Sequence, residues 1–120
     1  TSPAFLALAR EVGERLDRGL RATFASGPFV GEVRGLGPML AVEFVKDADK
    51  TPYPELVLEI TRQALARGLI VIRAGLYSNC IRLLPPLDLS DDHIDEGLAV
   101  LGEAYRAAVA GVERSVAHVG

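Results

Sequence analysis

Glycine and proline punctuate this 120-residue chain so often that the segments between them set its architecture. Breaks fall at Ser26-Gly27-Pro28, at Gly35-Leu36-Gly37-Pro38, across the polar residues 46–54, at Gly68, across 73–79 and at Pro85-Pro86. Glycine opens turn conformations and proline can continue neither a helix nor a sheet ladder. The period of the apolar residues then decides what each segment becomes.

Leu6, Ala9, Gly13, Leu16 and Leu20 recur every three or four residues, which predicts a helix from Ser2-Pro3 to about Phe24. Residues 29–34 are short and β-leaning. Residues 39–45 alternate, with Leu40, Val42 and Phe44 on one side and Met39, Ala41, Glu43 and Val45 on the other, so the two segments read as a hairpin-like unit. Leu56, Val57, Ile60 and Ala64 predict a helix over 54–67, stopped by a left-handed Gly68. Residues 69–72 are too short and too β-branched for a helix and predict a strand, followed by a turn over 73–79. A further strand is predicted over 80–84. Ser90 caps a last helix, with Asp91 and Asp92 in its first turn and Ile94, Leu98, Leu101 and Tyr105 on its buried face, ending near Ala108. The order α-β-β-α-β-β-α predicts an α/β (α+β) sandwich: a mostly antiparallel sheet of about four short strands with three helices on one face. One domain is expected over 1–110, with a tail over 111–120.

Composition narrows the function. At 49% hydrophobic and 24% charged residues the chain can build a core. A net charge of −3 and the absence of tryptophan argue against nucleic acid or an anionic membrane as partner. No apolar run reaches the roughly 18–20 residues that span a bilayer, and residues 1–4 do not resemble a signal peptide. The single Cys80 cannot form an intrachain disulfide, so a reducing, cytoplasmic setting is expected. The chain opens on Thr1 rather than methionine, which fits a processed or excised piece of something longer.

Most chemical signatures fail on inspection. Gly35-Leu36-Gly37 starts like a dinucleotide fingerprint, but Leu40 stands where its third glycine belongs. His93 and His118 have no second strong metal ligand at the right spacing, and Asp91-Asp92-His93 reads better as a helix start. Cys80 lies in an apolar strand without a nearby histidine. Lys46 and Lys50 sit in or beside an exposed-looking polar loop, unsuited to Schiff-base chemistry. Arg82 is different: a permanent charge inside Cys80-Ile81-Arg82-Leu83-Leu84 needs a partner. Either a sheet-face carboxylate such as Glu43 pairs with it, or its planar fork receives a ligand carboxylate. The turn Gly75-Leu76-Tyr77-Ser78-Asn79 adds polar groups near that end of the strand.

Three stretches then resemble a known family. Val33-Arg34-Gly35-Leu36-Gly37-Pro38-Met39-Leu40-Ala41-Val42-Glu43, Ala64-Leu65-Ala66-Arg67-Gly68-Leu69-Ile70 and the stretch from Gly75 through Tyr77, Asn79, Arg82 and Pro85-Pro86 to Leu87 are similar to segments of class-III pyridoxal-phosphate aminotransferases. Residues 94–105 resemble that family's last helix. The form with Tyr77 and Asn79 is most similar to 4-aminobutyrate aminotransferases. The resemblance covers about residues 4–109 and corresponds to the family's C-terminal small domain. It implies a transaminase acting on small amino-acid and 2-oxo-acid substrates, 4-aminobutyrate and 2-oxoglutarate foremost, with Arg82 binding the substrate carboxylate. It also implies that pyridoxal phosphate and its lysine belong to a large domain not represented here. No catalytic, cofactor-binding or metal residue is therefore assigned to this chain, which is expected to be inactive alone. The full-length enzyme is expected to be a homo-oligomer. Acetylornithine, ornithine and diaminobutyrate aminotransferases share much of this domain and stay open as alternatives. So does a stand-alone module that binds a small carboxylate or regulates.

Overall fold

The computed structural model describes residues 3–25, 27–36, 39–75, 77, 79–83 and 91–119. The expected breaks at Ser26, Gly37-Pro38 and Pro85-Pro86, the end of a strand at Leu84 and the Ser90 cap lie outside the described residues. The chain forms α1 (Pro3–Phe24), β1 (Val30–Leu36), β2 (Met39–Phe44), α2 (Pro54–Ala66), β3 (Ile72–Ala74), β4 (Cys80–Leu83) and α3 (Asp91–Val119). The strands make one antiparallel sheet in the order β1-β2-β4-β3. Helices α1 and α2 pack on one face of this sheet, and α3 packs across α1 and α2.

Alternation in β2 decides which face is covered. Val42 and Phe44 are buried, as is Ile81, which stands opposite Val42 on β4. They meet Val12, Leu16, Leu20 and Phe24 from α1, Leu56, Val57 and Ile60 from α2, and Ile94, Leu101 and Tyr105 from α3. Three rings sit at the centre. Phe24 lies edge-on to Phe44 at 5.8 Å and to Tyr105 at 4.9 Å, and the Tyr105 hydroxyl donates to the Pro28 carbonyl at 2.6 Å. Through that phenol α3 reaches the loop ahead of β1.

Several boundaries differ from the sequence reading. The break expected from Gly35 begins later: Gly35 and Leu36 belong to β1, paired with Leu40 and Met39, because the facing strand offers them partners. Residues 69–71 are not a strand; β3 begins at Ile72 and includes Arg73 and Ala74, which were expected in the turn. The amide of Leu69 donates to Ala64 at 2.9 Å and that of Gly68 to Leu65 at 3.0 Å, so the residues after α2 first close the helix end. Gly68 takes φ +84°, the left-handed stop expected of it. β1 starts at Val30, because Phe29 turns left-handed at φ 67°, although its carbonyl still accepts the Val45 amide at 2.8 Å; a bulge at Gly31 follows. Helix α3 runs on through 111–119 instead of ending near Ala108. A lone glycine weakens a helix without ending it, and the apolar stripe continues through Val109 and Val112 onto the core.

The loop after β2 is tied by Asp47, whose Oδ1 accepts the amides of Asp49 at 3.1 Å and Thr51 at 3.2 Å. The bonds to Thr51, ahead of other causes, hold its carboxyl below the usual aspartate range.

Gly97 lies in α3 with nothing within 4 Å of an added Cβ, so Gly97→Ala stabilises the chain by about 0.5–1 kcal/mol. Gly68 is equally open but left-handed, so Gly68→Ala destabilises by about 1–2 kcal/mol; urea unfolding measures both. Burial pushes the Tyr105 phenol from 10.0 to about 12. The folded state therefore holds a proton that the unfolded chain releases, and this contribution to stability, complete below pH 10, is lost as pH rises towards 12. Unfolding experiments at alkaline pH should show that loss in the native chain and not in Tyr105→Phe.

Candidate functional site

Strand register places Arg82 on the sheet face away from the helices. Arg82 stands opposite Ala41 on β2 and Ile72 on β3, while its neighbour Ile81 is fully buried on the helix side. Opposed residues share a face, so Arg82 lies with Ala41, Glu43, Ile72, Ala74 and Cys80. Most of this face is only half-buried, and Ile72 is 46% exposed. The two readings of Arg82 separate here. Glu43 and Arg82 are diagonal neighbours, a spacing that long side chains can bridge. The Glu43 carboxylate instead lies over the bulge, its Oε1 2.7 Å from where a Cβ on Gly31 would stand. Among the described residues no carboxylate comes within 4 Å of the Arg82 guanidinium, and none accepts a hydrogen bond from it. The half-buried fork of Arg82 is thus open to a planar anion approaching the uncovered face.

Small and apolar neighbours shape that approach. Ala41 and Ala74 keep the sheet low around Arg82, and Ile72 adds an apolar wall on the β3 side. Ile70, ahead of β3, is 79% exposed and Tyr77, after it, 62% exposed.

Other residues singled out earlier are placed elsewhere. Asn79 is buried, with Nδ2 donating to the Phe44 carbonyl at 3.2 Å, so it builds the sheet rather than lining its open face. Cys80 is buried under the turn, its Sγ 3.0 Å from a would-be Cβ on Gly75. His93 is exposed on the first turns of α3, and the His118 side chain, with Leu76 and Ser78, lies outside the described residues. Lys46 and Lys50 are exposed in the loop, and Lys46 Nζ sits 5.4 Å over the Tyr53 ring. A groove of about 220 Å³ lies between Pro28 and α3, lined by Tyr105, Arg106, Val109, Ala110 and Glu113. It holds neither lysine and does not reach Arg82.

Pyridoxal phosphate, implied by the family resemblance, needs a sheltered lysine. Two exposed loop lysines and a groove without one do not provide that, so the described residues do not fit the cofactor.

Comparison with known proteins gives the arrangement a context. Residues 1–105 match the sequence profile of the family described as Aminotransferase class-III. The chain is 40% identical over 97 residues to the 5-aminovalerate aminotransferase DavT of Pseudomonas putida, covering 81% of this chain and 23% of that protein. It is 38% identical over 101 residues to the 4-aminobutyrate aminotransferase GabT of Escherichia coli, covering 83% and 24%. Its fold is similar to that of a PMP-bound aminotransferase from Vibrio fluvialis, with TM-score 0.76, 31% identity and coverage of 90% of this chain and 24% of that one. The chain spans about a quarter of the length of the curated relatives it matches. With this profile match over most of its length and the shared fold, the chain belongs to the class-III aminotransferase family.

Proposed function

We propose that this chain acts as the C-terminal small domain of a pyridoxal-phosphate-dependent transaminase that moves an amino group between an ω-amino acid and 2-oxoglutarate. The amino donor is 4-aminobutyrate or its one-carbon-longer homologue 5-aminovalerate, the substrates named for the similar proteins. Arg82 is the residue this domain contributes: it holds the α-carboxylate of glutamate or 2-oxoglutarate. The observation that carries this reading is a half-buried guanidinium on the open sheet face with no carboxylate among the described residues to neutralise it. A dicarboxylic 2-oxo acid supplies the planar anion such a fork binds bidentately.

The cofactor and its lysine reside outside this chain, which alone is catalytically silent. The cofactor supplies the electron sink for amino transfer, and Arg82 supplies orientation. A reducing cytoplasm suits the single buried thiol, Cys80. Among the described residues no helix is long and apolar enough to cross a membrane.

Two measurements test the role of Arg82. In the 120-residue chain, Arg82→Ala changes the unfolding free energy by less than about 1 kcal/mol, whereas breaking a buried structural ion pair costs about 3–5 kcal/mol. In the complete enzyme the same substitution weakens use of glutamate and 2-oxoglutarate by roughly 2–4 kcal/mol in kcat/KM. Unchanged kinetics for both substrates would remove Arg82 from the site. The isolated chain mixed with pyridoxal phosphate and 4-aminobutyrate gives neither a cofactor-bound absorbance band nor turnover. Either signal overturns the assignment of the cofactor to another part of the protein. Calorimetric binding of 2-oxoglutarate to the chain without cofactor, together with normal transamination by Arg82→Ala enzyme, would favour a separate carboxylate-binding module.

A further inference from the structure

Asn79 is a buried polar side chain, at 5% exposure. Its carbonyl accepts the Phe44 amide at 2.8 Å, and its side-chain Nδ2 donates to the Phe44 carbonyl at 3.2 Å. Glu43 faces Cys80 and Val42 faces Ile81, so Phe44 and Asn79 form the next rung between β2 and β4. Residues in a hydrogen-bonded antiparallel rung exchange two backbone bonds. Here the return bond comes from a side chain. The other amide atom, Oδ1, accepts from the Cys80 thiol at 3.9 Å and lies beside Gly75, 3.4 Å from where a Cβ there would stand. Asn79 thus joins the end of β2 to the start of β4, close to the turn after β3. β4 has four residues and β3 only three, so one rung is a large share of what fixes their position. Arg82 lies three residues along the strand that Asn79 anchors.

We infer that Asn79 is a positioning residue for Arg82: its side-chain amide completes the terminal β2–β4 rung and so sets where the guanidinium meets the substrate carboxylate. The inference rests on the reading of Arg82 as the carboxylate anchor. The amide is the group this position requires. An ionised aspartate would turn a carboxylate on the Phe44 carbonyl, serine is too short to reach it, and alanine leaves a buried acceptor short of a donor. The buried Ile81 already prevents a one-residue slip, which would turn Arg82 into the core. What Asn79 adds is the finer placement on which a bidentate contact depends.

The experiment is steady-state kinetics on the complete enzyme with 2-oxoglutarate and 4-aminobutyrate, comparing the native protein with Asn79→Ala, Asn79→Ser, Arg82→Ala and the Asn79→Ala/Arg82→Ala double variant. The expected result for Asn79→Ala is a KM for 2-oxoglutarate raised about tenfold, with the KM for 4-aminobutyrate within about twofold of native. The double variant should be no worse than Arg82→Ala alone, since both changes remove one contact. A general structural role predicts losses shared by both substrates and additive with Arg82→Ala, and that result overturns the inference. Failure of both Asn79 variants to give folded enzyme also overturns it, because Asn79 would then serve the whole fold. If Arg82→Ala itself leaves both substrates untouched, the carboxylate-anchor reading fails first, and the inference falls with it.

Discussion

Phe44 is where the structure is tied together. Its ring lies within 5.9 Å, centroid to centroid, of both Phe24 and Tyr105, so α1, α3 and the sheet share one aromatic contact. Its amide donates to Asn79, and its carbonyl accepts from the Asn79 side chain and from the Tyr53 amide at 3.1 Å. Tyr53 stands immediately ahead of Pro54, the first residue of α2. A single residue at the end of β2 therefore sets the depth of the core, the start of α2 and the alignment of β4. Buried backbone groups must find partners, and Phe44 meets that demand with three bonds to two segments, one around Asn79 and one ahead of α2.

The sheet follows as a two-sided object. On the helix side, Val42, Phe44 and Ile81 remove apolar surface from water, the main favourable term in holding the elements together. The other side carries Arg82 among small residues, with Ile72 beside it. An arginine there has its charge near solvent while its stem lies along the sheet, an arrangement that costs little. Moved to the helix face, the same residue would be a buried unpaired charge. Alternation along β4 thus separates the buried Ile81 from Arg82 on the open face, where the proposed carboxylate contact would be made, one residue apart.

The sequence made the faces legible because they depend on local period. Val42 and Phe44 in β2 and Leu56, Val57, Ile60 and Ala64 in α2 are buried as their spacing predicts, and Gly68 stops α2 for the reason expected. The boundaries of β3 and α3 depend on partners far along the chain. Leu69 is claimed by the end of α2, and β3 begins only where β4 offers a partner to Ile72. The residues from Gly111 were expected to form a tail, yet α3 continues because Val109 and Val112 still find the core. At the candidate site Arg82 was legible as a misplaced charge. The course of Glu43 was not, because it follows from the bulge at Gly31, a property of strand pairing. Nor was the burial of Asn79, whose residue type fits an exposed turn equally well.

The carboxylate-anchor role proposed for Arg82 suits a sheet better than a loop. A loop arginine would have to give up side-chain and backbone freedom together when it met its ligand. Arg82 has its backbone fixed by Ala41 on one side and Ile72 on the other, so only its side chain remains to be ordered. Short strands make this rigidity depend on the quality of each rung, and β4 is short. The side-chain amide that closes the Phe44–Asn79 rung therefore steadies the strand that carries Arg82, which is the basis of its proposed positioning role. In the proposed role, preorganisation of this kind lets one short strand present a single charged group accurately.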